Sequence, residues 1–523
     1  LTRRLLAALL TFTSLGGSAL AQSPAPEATT PLTSTPAPDA PSAPAPDAAK
    51  PDSAVAAPTA PAGTVAVPGV EHLNAGFGNE AFFLRSDDDN FVFIPSGRLQ
   101  IDGYGYQGAG HDRQPFNTFS AKRARIEVFG SIMKHWDFQI GSEFTTSGNN
   151  QTFSTSSPSA VAQSPSSTDI YLASNYTPYA NLQIGQFDAP FTMENRTSDK
   201  WTDMQERSRV VASFAIPEGK ELGAMIFGGP EKKWAYYSFG AFNGEGQNNF
   251  KHTSNHFDAM GRAWIAPAGL AGNELLKNVW VGGSYYNGFR GESPANPSFE
   301  SPKAYAATFG NQFDRLAMRD TAGLTFFSPA AGTVHAGDYG QRTGYAFELN
   351  APIGPLVIKA EYVHLDQGLR ELDYAAKAPA YVRTSKISGS GYYARASYFF
   401  WGDSLINGLA GSQMPPHLFG PLKPGKTATA LQLVLNWDHL GFDYLADNDP
   451  DGKDPLAGRY NVDIYGIGLN YWHTKHIRIT GNALYNKYTG SAYEKDDGTF
   501  KNTSLSPFGN SSYELTMRFA LAI

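Results

Sequence analysis

The end of the chain alternates without a break. Tyr513, Leu515, Met517, Phe519, Leu521 and Ile523 carry apolar side chains, and Glu514, Thr516, Arg518, Ala520 and Ala522 fall between them. Successive side chains of an extended strand point to opposite faces, so this stretch offers one face to an apolar medium and the other to a polar or small-residue layer. The same period recurs upstream. In 427–440, Leu431, Leu433, Leu435 and Trp437 oppose Gln432, Asn436 and Asp438. In 134–146, Trp136, Phe138, Ile140 and Phe144 oppose Asp137, Gln139 and Glu143, and in 353–366, Leu356, Ile358, Ala360 and Tyr362 oppose Lys359 and Glu361. Further strands are predicted at 96–107, 120–131, 168–177, 180–188, 219–229, 232–243, 257–267, 276–290, 340–351, 387–400, 459–473 and 475–489. Aromatic residues gather towards strand ends, as in Tyr285-Tyr286 and Tyr398-Phe399-Phe400-Trp401.

Composition agrees with strands and turns: 53 glycines, 13% aromatic residues and only 17% charged residues. The absence of cysteine removes disulfide scaffolds, thiol catalysis and Cys-ligated zinc. A net charge of −7 argues against a general nucleic-acid binder.

Two short segments precede the alternating region. Residues 1–21 have a basic head (Arg3, Arg4), an apolar run and a small-residue exit at Ala19-Leu20-Ala21, which predicts a cleaved secretory signal peptide. Residues 22–70 are Ala, Pro, Ser, Thr and Asp with almost no large apolar side chain, so they cannot bury enough surface to offset ordering entropy, and a disordered linker is expected. The remainder, 71–523, is predicted to be one domain.

An alternating pattern of this extent fits a soluble β-protein, with its apolar face in a core, or a transmembrane antiparallel barrel, with that face against lipid. No later segment holds the apolar run that a membrane helix needs. Tight joints such as Met133-Lys134 and His473-Thr474-Lys475 contrast with long polar stretches at 147–167, 189–218, 291–339 and 402–426. Short turns at one end and long loops at the other favour the all-β transmembrane antiparallel barrel, of about 16 strands. A propeller repeat is missing. The terminal strand then pairs with the first strand and serves as the signal for the barrel-insertion machinery, although such strands more often end in Phe than in the Ile523 found here.

Several segments resemble the phosphate-selective porins O and P. They are Ser120-Ala-Lys-Arg-Ala-Arg-Ile-Glu-Val-Phe-Gly130 with Lys134-His-Trp-Asp-Phe, then Leu182-Gln-Ile-Gly-Gln-Phe-Asp-Ala-Pro-Phe191 with Glu206-Arg207-Ser208 and Glu221-Leu222-Gly223. Gly391-Tyr-Tyr-Ala-Arg-Ala-Ser-Tyr-Phe399, Tyr465-Gly-Ile-Gly-Leu-Asn-Tyr471 and the closing strand continue the likeness in order. The resemblance implies a 16-stranded outer-membrane barrel, commonly trimeric, that passes small anionic solutes, phosphate among them, by diffusion past basic lumen residues. One position departs: many relatives carry Lys after Gly-Gln-Phe, where this chain has Asp188. If that position faces the pathway, phosphate preference does not carry over.

Strand parity places Arg98, Arg123, Arg125, Lys359, Arg395, Arg478 and Arg518 on the lumen face, together with Asp102, Glu127, Asp137, Glu143, Glu361, Asp438 and Glu514. Opposed in this way they give no net field, so any charge selection has to come from a constriction. Arg98, Arg123, Arg125, Lys359 and Arg395 are the wall candidates for solute contact; Arg123 and Arg125 share a face and either guide an anion or brace the wall against Glu127. The loop 189–218 adds Lys200, Arg207 and Arg209, which line the channel if the loop folds inward and are solvated if it does not.

No catalytic motif, cofactor loop or complete metal set stands out. His252, His256 and Asp258 lack a third ligand in a usable spacing, and Asp87-Asp88-Asp89 and Asn448–Asp454 lack the closing Glu of a calcium loop. The expected function is passive diffusion through a barrel in the outer membrane of a Gram-negative bacterium, without catalysis, cofactor or metal, and with lipid, small anions and two further copies of the chain as partners. An exported soluble β-rich enzyme or carbohydrate-binding protein is the alternative, and an envelope-tethering barrel a third possibility.

Overall fold

The computed structural model describes residues 73–78, 81–108, 117–145, 166–214, 219–244, 246–248, 256–290, 330–331, 334–373, 380–402, 429–446, 458–474, 476–492 and 511–522. The signal and linker expected over 1–70, the Asn448–Asp454 motif, His252 and Ile523 lie outside these residues. Among them, no helix is long and apolar enough to cross a membrane, which says nothing against crossing by strands.

A small hairpin comes first, β1 (Leu73–Gly78) and β2 (Ala81–Ser86). The wall begins with β3 (Phe91–Gly108), β4 (Asn117–Ile132), β5 (Trp136–Glu143), β6 (Ser166–Ser174), β7 (Asn181–Asp188), β8 (Lys220–Gly228), β9 (Ala235–Phe242), β10 (Asp258–Ile265) and β11 (Trp280–Arg290). After a two-residue strand β12 (Ala330–Ala331) it continues through β13 (Val334–Ile353), β14 (Leu356–Asp373), β15 (Ala380–Trp401), β16 (Ala430–Ala446), β17 (Gly458–Trp472), β18 (Ile477–Ala492) and β19 (Ser511–Ala522). Among the described residues, two short helices lie in the joints, α1 (Arg209–Phe214) after β7 and α2 (Pro267–Leu270) after β10.

Each wall strand pairs antiparallel with the next, β11 with β13, and β19 returns to β3 over Ser512↔Gly108 to Ala522↔Arg98. The result is a closed barrel of 16 antiparallel strands, which leaves no free sheet edge in the wall. Every wall strand overlaps a segment expected from alternation, although several run further than the sequence pattern shows, β15 from Ala380 rather than 387.

Parity sorts the side chains as expected. Ile126, Ile140, Leu435, Trp437, Tyr513 and Met517 stand exposed on the outer surface, while Arg98, Asp102, Glu127, Asp137, Glu361, Asp438, Glu514 and Arg518 are buried inside. The core of this molecule is therefore the barrel interior, which besides these polar groups holds a buried apolar cluster where inward wall residues such as Val363, Leu365, Val434 and Leu440 pack with Phe191, Met193, Val210 and Phe214.

Short joints lie at the end that carries the start of β3 and the end of β19. Met133 and Lys134 turn the chain there at φ 53° and 65°, the left-handed region that closes a tight hairpin. One expectation about the ends fails. The connection 402–429 joins β15 to β16 at this same end, not at the end of the other long loops, because the parity of strand count fixes the end at which each joint falls.

Candidate functional site: a segment across the barrel interior

The chain leaves β7 at Asp188 and, instead of turning outward, runs through the barrel interior to Phe214. Most side chains in this segment are buried and only Ala212 is exposed, so the solvated alternative for the loop does not hold. The reason can be read from the wall it meets. Gly344 on β13, Gly389 and Gly391 on β15, and Gly466 and Gly468 on β17 all occupy inward positions, and the segment lies over them. A Cβ on Gly391 would come within 3.0 Å of Val210, one on Gly389 within 2.6 Å of Phe214, and one on Gly468 within 3.0 Å of the Met204 sulfur. The missing side chains make the trough in which the segment rests. Trp201 completes the packing with its ring 5.7 Å from that of Trp472.

Polar contacts fix the segment from end to end. Thr192 N donates to Ser284 Oγ at 3.0 Å, and Met193 N and Glu194 N donate to the two oxygens of Glu361 at 2.6 and 2.8 Å. Arg209 N donates to Asp438 at 2.9 Å. These are backbone donors that a buried loop must satisfy, and the wall carboxylates do so.

Four acids of the segment take the wall cations. Glu194 pairs with Arg395. Asp199 receives Arg98, Arg123 at 2.5 Å and Arg125 at 3.3 Å. Asp203 pairs with Lys359 at 2.9 Å. Glu206 pairs with Arg123 at 3.4 Å and with Arg518. Burial raises the pKa of Glu206, but Arg123 and Arg518 outweigh it and hold that carboxyl well below the usual range. Arg125 and Arg98 also meet wall acids, Glu143 at 2.6 Å and Glu127 at 3.4 Å.

All five wall candidates thus face inward and all five are ion-paired. The geometry brings Arg98, Arg123 and Arg125 together on one carboxylate and sets Lys359 and Arg395 apart on others. Of the three loop candidates, Arg207 donates to the carbonyls of Glu194 and Thr197, each at 3.0 Å, and so braces the turn. Arg209 begins α1, and its backbone, rather than a salt bridge, ties it to Asp438. Lys200 is different. Its side chain is half-buried between Arg98, Arg125 and Glu127 and has no ion pair among the described residues. Burial first, and then the charge of Arg98, pulls its pKa down to about 8.

Two more cations lie by the segment: Arg478, which strand parity placed on the lumen face, and Lys122, which it did not. Lys122 sits at a bulge in β4, opposite the step from Gln100 to Ile101, and its charged neighbours are Glu206, Arg123, Arg518 and Asp102. An extra residue in a strand shifts side-chain parity, which strict alternation does not anticipate. Arg478 donates to Thr202 O at 2.8 Å and lies 4.7 Å from the Trp472 ring. Asp188, the departure from the expected Lys, is held at 2.8 Å by Lys220, which also binds Asp169 at 2.8 Å. Among the described residues, no group of three His, Asp or Glu is placed to hold a metal ion. The Asp87–Asp89 stretch is the turn into β3, where Asp88 accepts from Ser86 Oγ at 2.8 Å and from Asn90 N at 2.9 Å.

Residues 95–293 match the family model of the phosphate-selective porins O and P. No curated protein sequence matches the chain. Solved structures similar to it include in-vitro folded OmpT, an outer membrane protein of Vibrio cholerae, at 9% identity and a TM-score of 0.45, covering 83% of this chain and 98% of that one. The outer membrane channel DcaP of Acinetobacter baumannii aligns at 10% identity and TM-score 0.42, over 84% and 99% of the two chains. An anion-selective porin from Comamonas acidovorans aligns at 9% and 0.41, over 83% and 100%.

Proposed function

We propose that this chain, matched over residues 95–293 to the phosphate-selective porins O and P, is a passive diffusion channel of a Gram-negative outer membrane. The observation that carries the reading is the segment from Asp188 to Phe214, pinned across the interior of a closed barrel whose outer surface is apolar. A segment so placed narrows a water-filled lumen and forces solutes past its charges. No nucleophile, base or metal cluster is needed for that task, so the chain acts as a channel and not as an enzyme.

Selection in this channel is for small anions in general, and phosphate is not singled out. A phosphate site calls for several cations free to donate to one oxyanion. Here Glu194, Asp199, Asp203 and Glu206 already hold Arg395, Arg98, Arg123, Arg125, Arg518 and Lys359, and Asp188 is paired with Lys220. Lys200, which has no ion pair among the described residues, is the cation offered to a passing solute. The chain assembles as a homotrimer in lipid, inserted by the barrel machinery through β19.

Purified protein added to a planar bilayer is expected to give discrete conductance steps, with a reversal potential of anion sign in a potassium chloride gradient and no saturation by phosphate at low concentration. Stepless current sinks the channel reading; high-affinity block of chloride current by phosphate sinks the general-anion reading alone.

A further inference from the structure

The hairpin β1–β2 plays no part in closing the barrel. Its ladder pairs with the wall are Leu84↔Phe93 and Arg85↔Val92 among the described residues, at the end of β3 that lies beyond its pairing with β19. Its two faces differ in kind. Paired residues of an antiparallel ladder share a face, so Ala75, Phe77, Phe82 and Leu84 form one row. Phe77 and Phe82 meet edge to face with centroids 5.1 Å apart. The opposite face carries Phe83 folded over Gly76, with Arg85 above its ring and paired to Asp89.

The direction of the first row is fixed by register. Leu84 lies opposite Phe93, and Phe93 has the parity of Leu99 and Ile101, exposed on the outer surface, while Val92, Arg98 and Gln100 are buried inside. The row is therefore continuous with the lipid-facing side of β3. There it joins Phe91, stacked on Phe93 at 6.5 Å, and Phe138, whose ring covers Gly130 across from Phe93. Phe77 is 62% exposed, Phe82 55% and Leu84 38%. Three large apolar side chains bared on one side of a two-stranded ribbon cost free energy in water, about 1.5–3 kcal/mol for each that stays uncovered. A hairpin of this size is also marginal by itself.

We propose that β1–β2 is an interfacial anchor, laying Phe77, Phe82 and Leu84 into the headgroup boundary of the bilayer leaflet at the end of the barrel that bears the short joints, as an extension of the aromatic girdle. The partner is the lipid surface itself.

This inference rests on the membrane reading above, and the absence of cysteine from the chain allows both to be tested by single spin labels. The probes are Phe82→Cys, with Ile140→Cys on the outer barrel surface and Asp87→Cys in the exposed turn as references, in full-length protein reconstituted into vesicles of phosphatidylethanolamine and phosphatidylglycerol. Folding of each variant is checked by the mobility shift of the barrel on heating in detergent gels. The label at 82 is expected to collide with oxygen and to lose most of the contact with a water-soluble nickel chelate that the label at 87 shows. Nickel contact at 82 equal to that at 87 overturns the anchor while leaving the channel reading intact, provided the label at 140 contacts lipid. Dipolar broadening at 82 that disappears on dilution with unlabelled protein also overturns it, because the face is then covered by another protomer. If the label at 140 meets nickel chelate as well, the membrane reading fails with it.

Discussion

Asp199 is the residue on which the charge balance of the lumen turns. It receives Arg98, Arg123 and Arg125, so one carboxylate offsets part of the charge of three guanidinium groups, each of which has one further acid partner, Glu127, Glu206 and Glu143 in turn. Asp199→Asn removes the charge and keeps the shape. Its expected effect is a reversal potential displaced further towards anions, with phosphate then competing with chloride for the freed fork geometry. Removing the cations works the other way: Arg123→Ala with Arg125→Ala leaves Asp199 and Glu206 short of partners and moves the reversal potential towards cations. Lys200 makes a pH-dependent contribution. Its ammonium is charged below its pKa of about 8 and neutral above, so anion preference is expected to decline as pH rises from about 6 to about 9. In Lys200→Gln the preference at low pH is smaller and the step near 8 is gone. A step of unchanged size in that variant assigns the titration to another group. Strand parity put Arg98, Arg123 and Arg125 on the inner face, where they are found, yet it could not place Lys200 or show which cations are paired, because pairing depends on where a loop with no period of its own comes to rest.

At the scale of elements, the wall strands were legible because each has lipid on one side and a polar interior on the other, a contrast that period two expresses directly, as in Tyr513 to Ala522. β1–β2 was not, since its row of Ala75, Phe77, Phe82 and Leu84 is broken by a turn and too short to stand out. The inserted segment left a different trace. Gly389, Gly391, Gly466 and Gly468 all fall on inward parity, and glycine there gives up side-chain volume where a lumen residue would normally stand. In the sequence these positions look like ordinary strand glycines; only the contacts with Val210, Phe214 and Met204 explain them. Gly468→Leu is therefore expected to force the segment off its trough. A new Cβ would lie 2.8 Å from Asn482 Oδ1 and 3.0 Å from the Met204 sulfur, overpacking that costs about 1–3 kcal/mol. The barrel should still form, with larger and noisier single-channel conductance. A variant with the conductance of the parent shows that the segment does not set the bore.

For the molecule as a whole, the decisive joint is the one between the ends of the chain, where β19 meets β3. A closed barrel has no edge, but it is completed only when strands 416 positions apart by sequence find each other, as Arg518 and Asp102 do. Loop-closure entropy opposes such a long-range pairing, and the seam answers with a fully buried, bidentate ion pair, Arg518 Nε and Nη2 to the two Asp102 oxygens at 2.7 Å each. Tyr104 donates to the same carboxylate at 2.7 Å, and Arg518 also reaches Glu206 and the carbonyl of Gln205 in the inserted segment. One guanidinium therefore ties the first strand, the last strand and the constricting segment together. Arg518→Met leaves Asp102 and Glu206 buried without their shared partner, a loss of about 3–5 kcal/mol for a pair broken from one side. It should lower the temperature at which the folded band disappears in heated detergent gels and destabilise the segment together with the wall. Asp102→Asn should cost less, because the amide still accepts one hydrogen bond and Glu206 keeps its cation. Exchanging the two residues, Asp102→Arg with Arg518→Asp, restores the seam only in part, since Glu206 then faces a carboxylate. Full recovery in the exchanged protein would mean that the contact with Glu206 contributes nothing to closure.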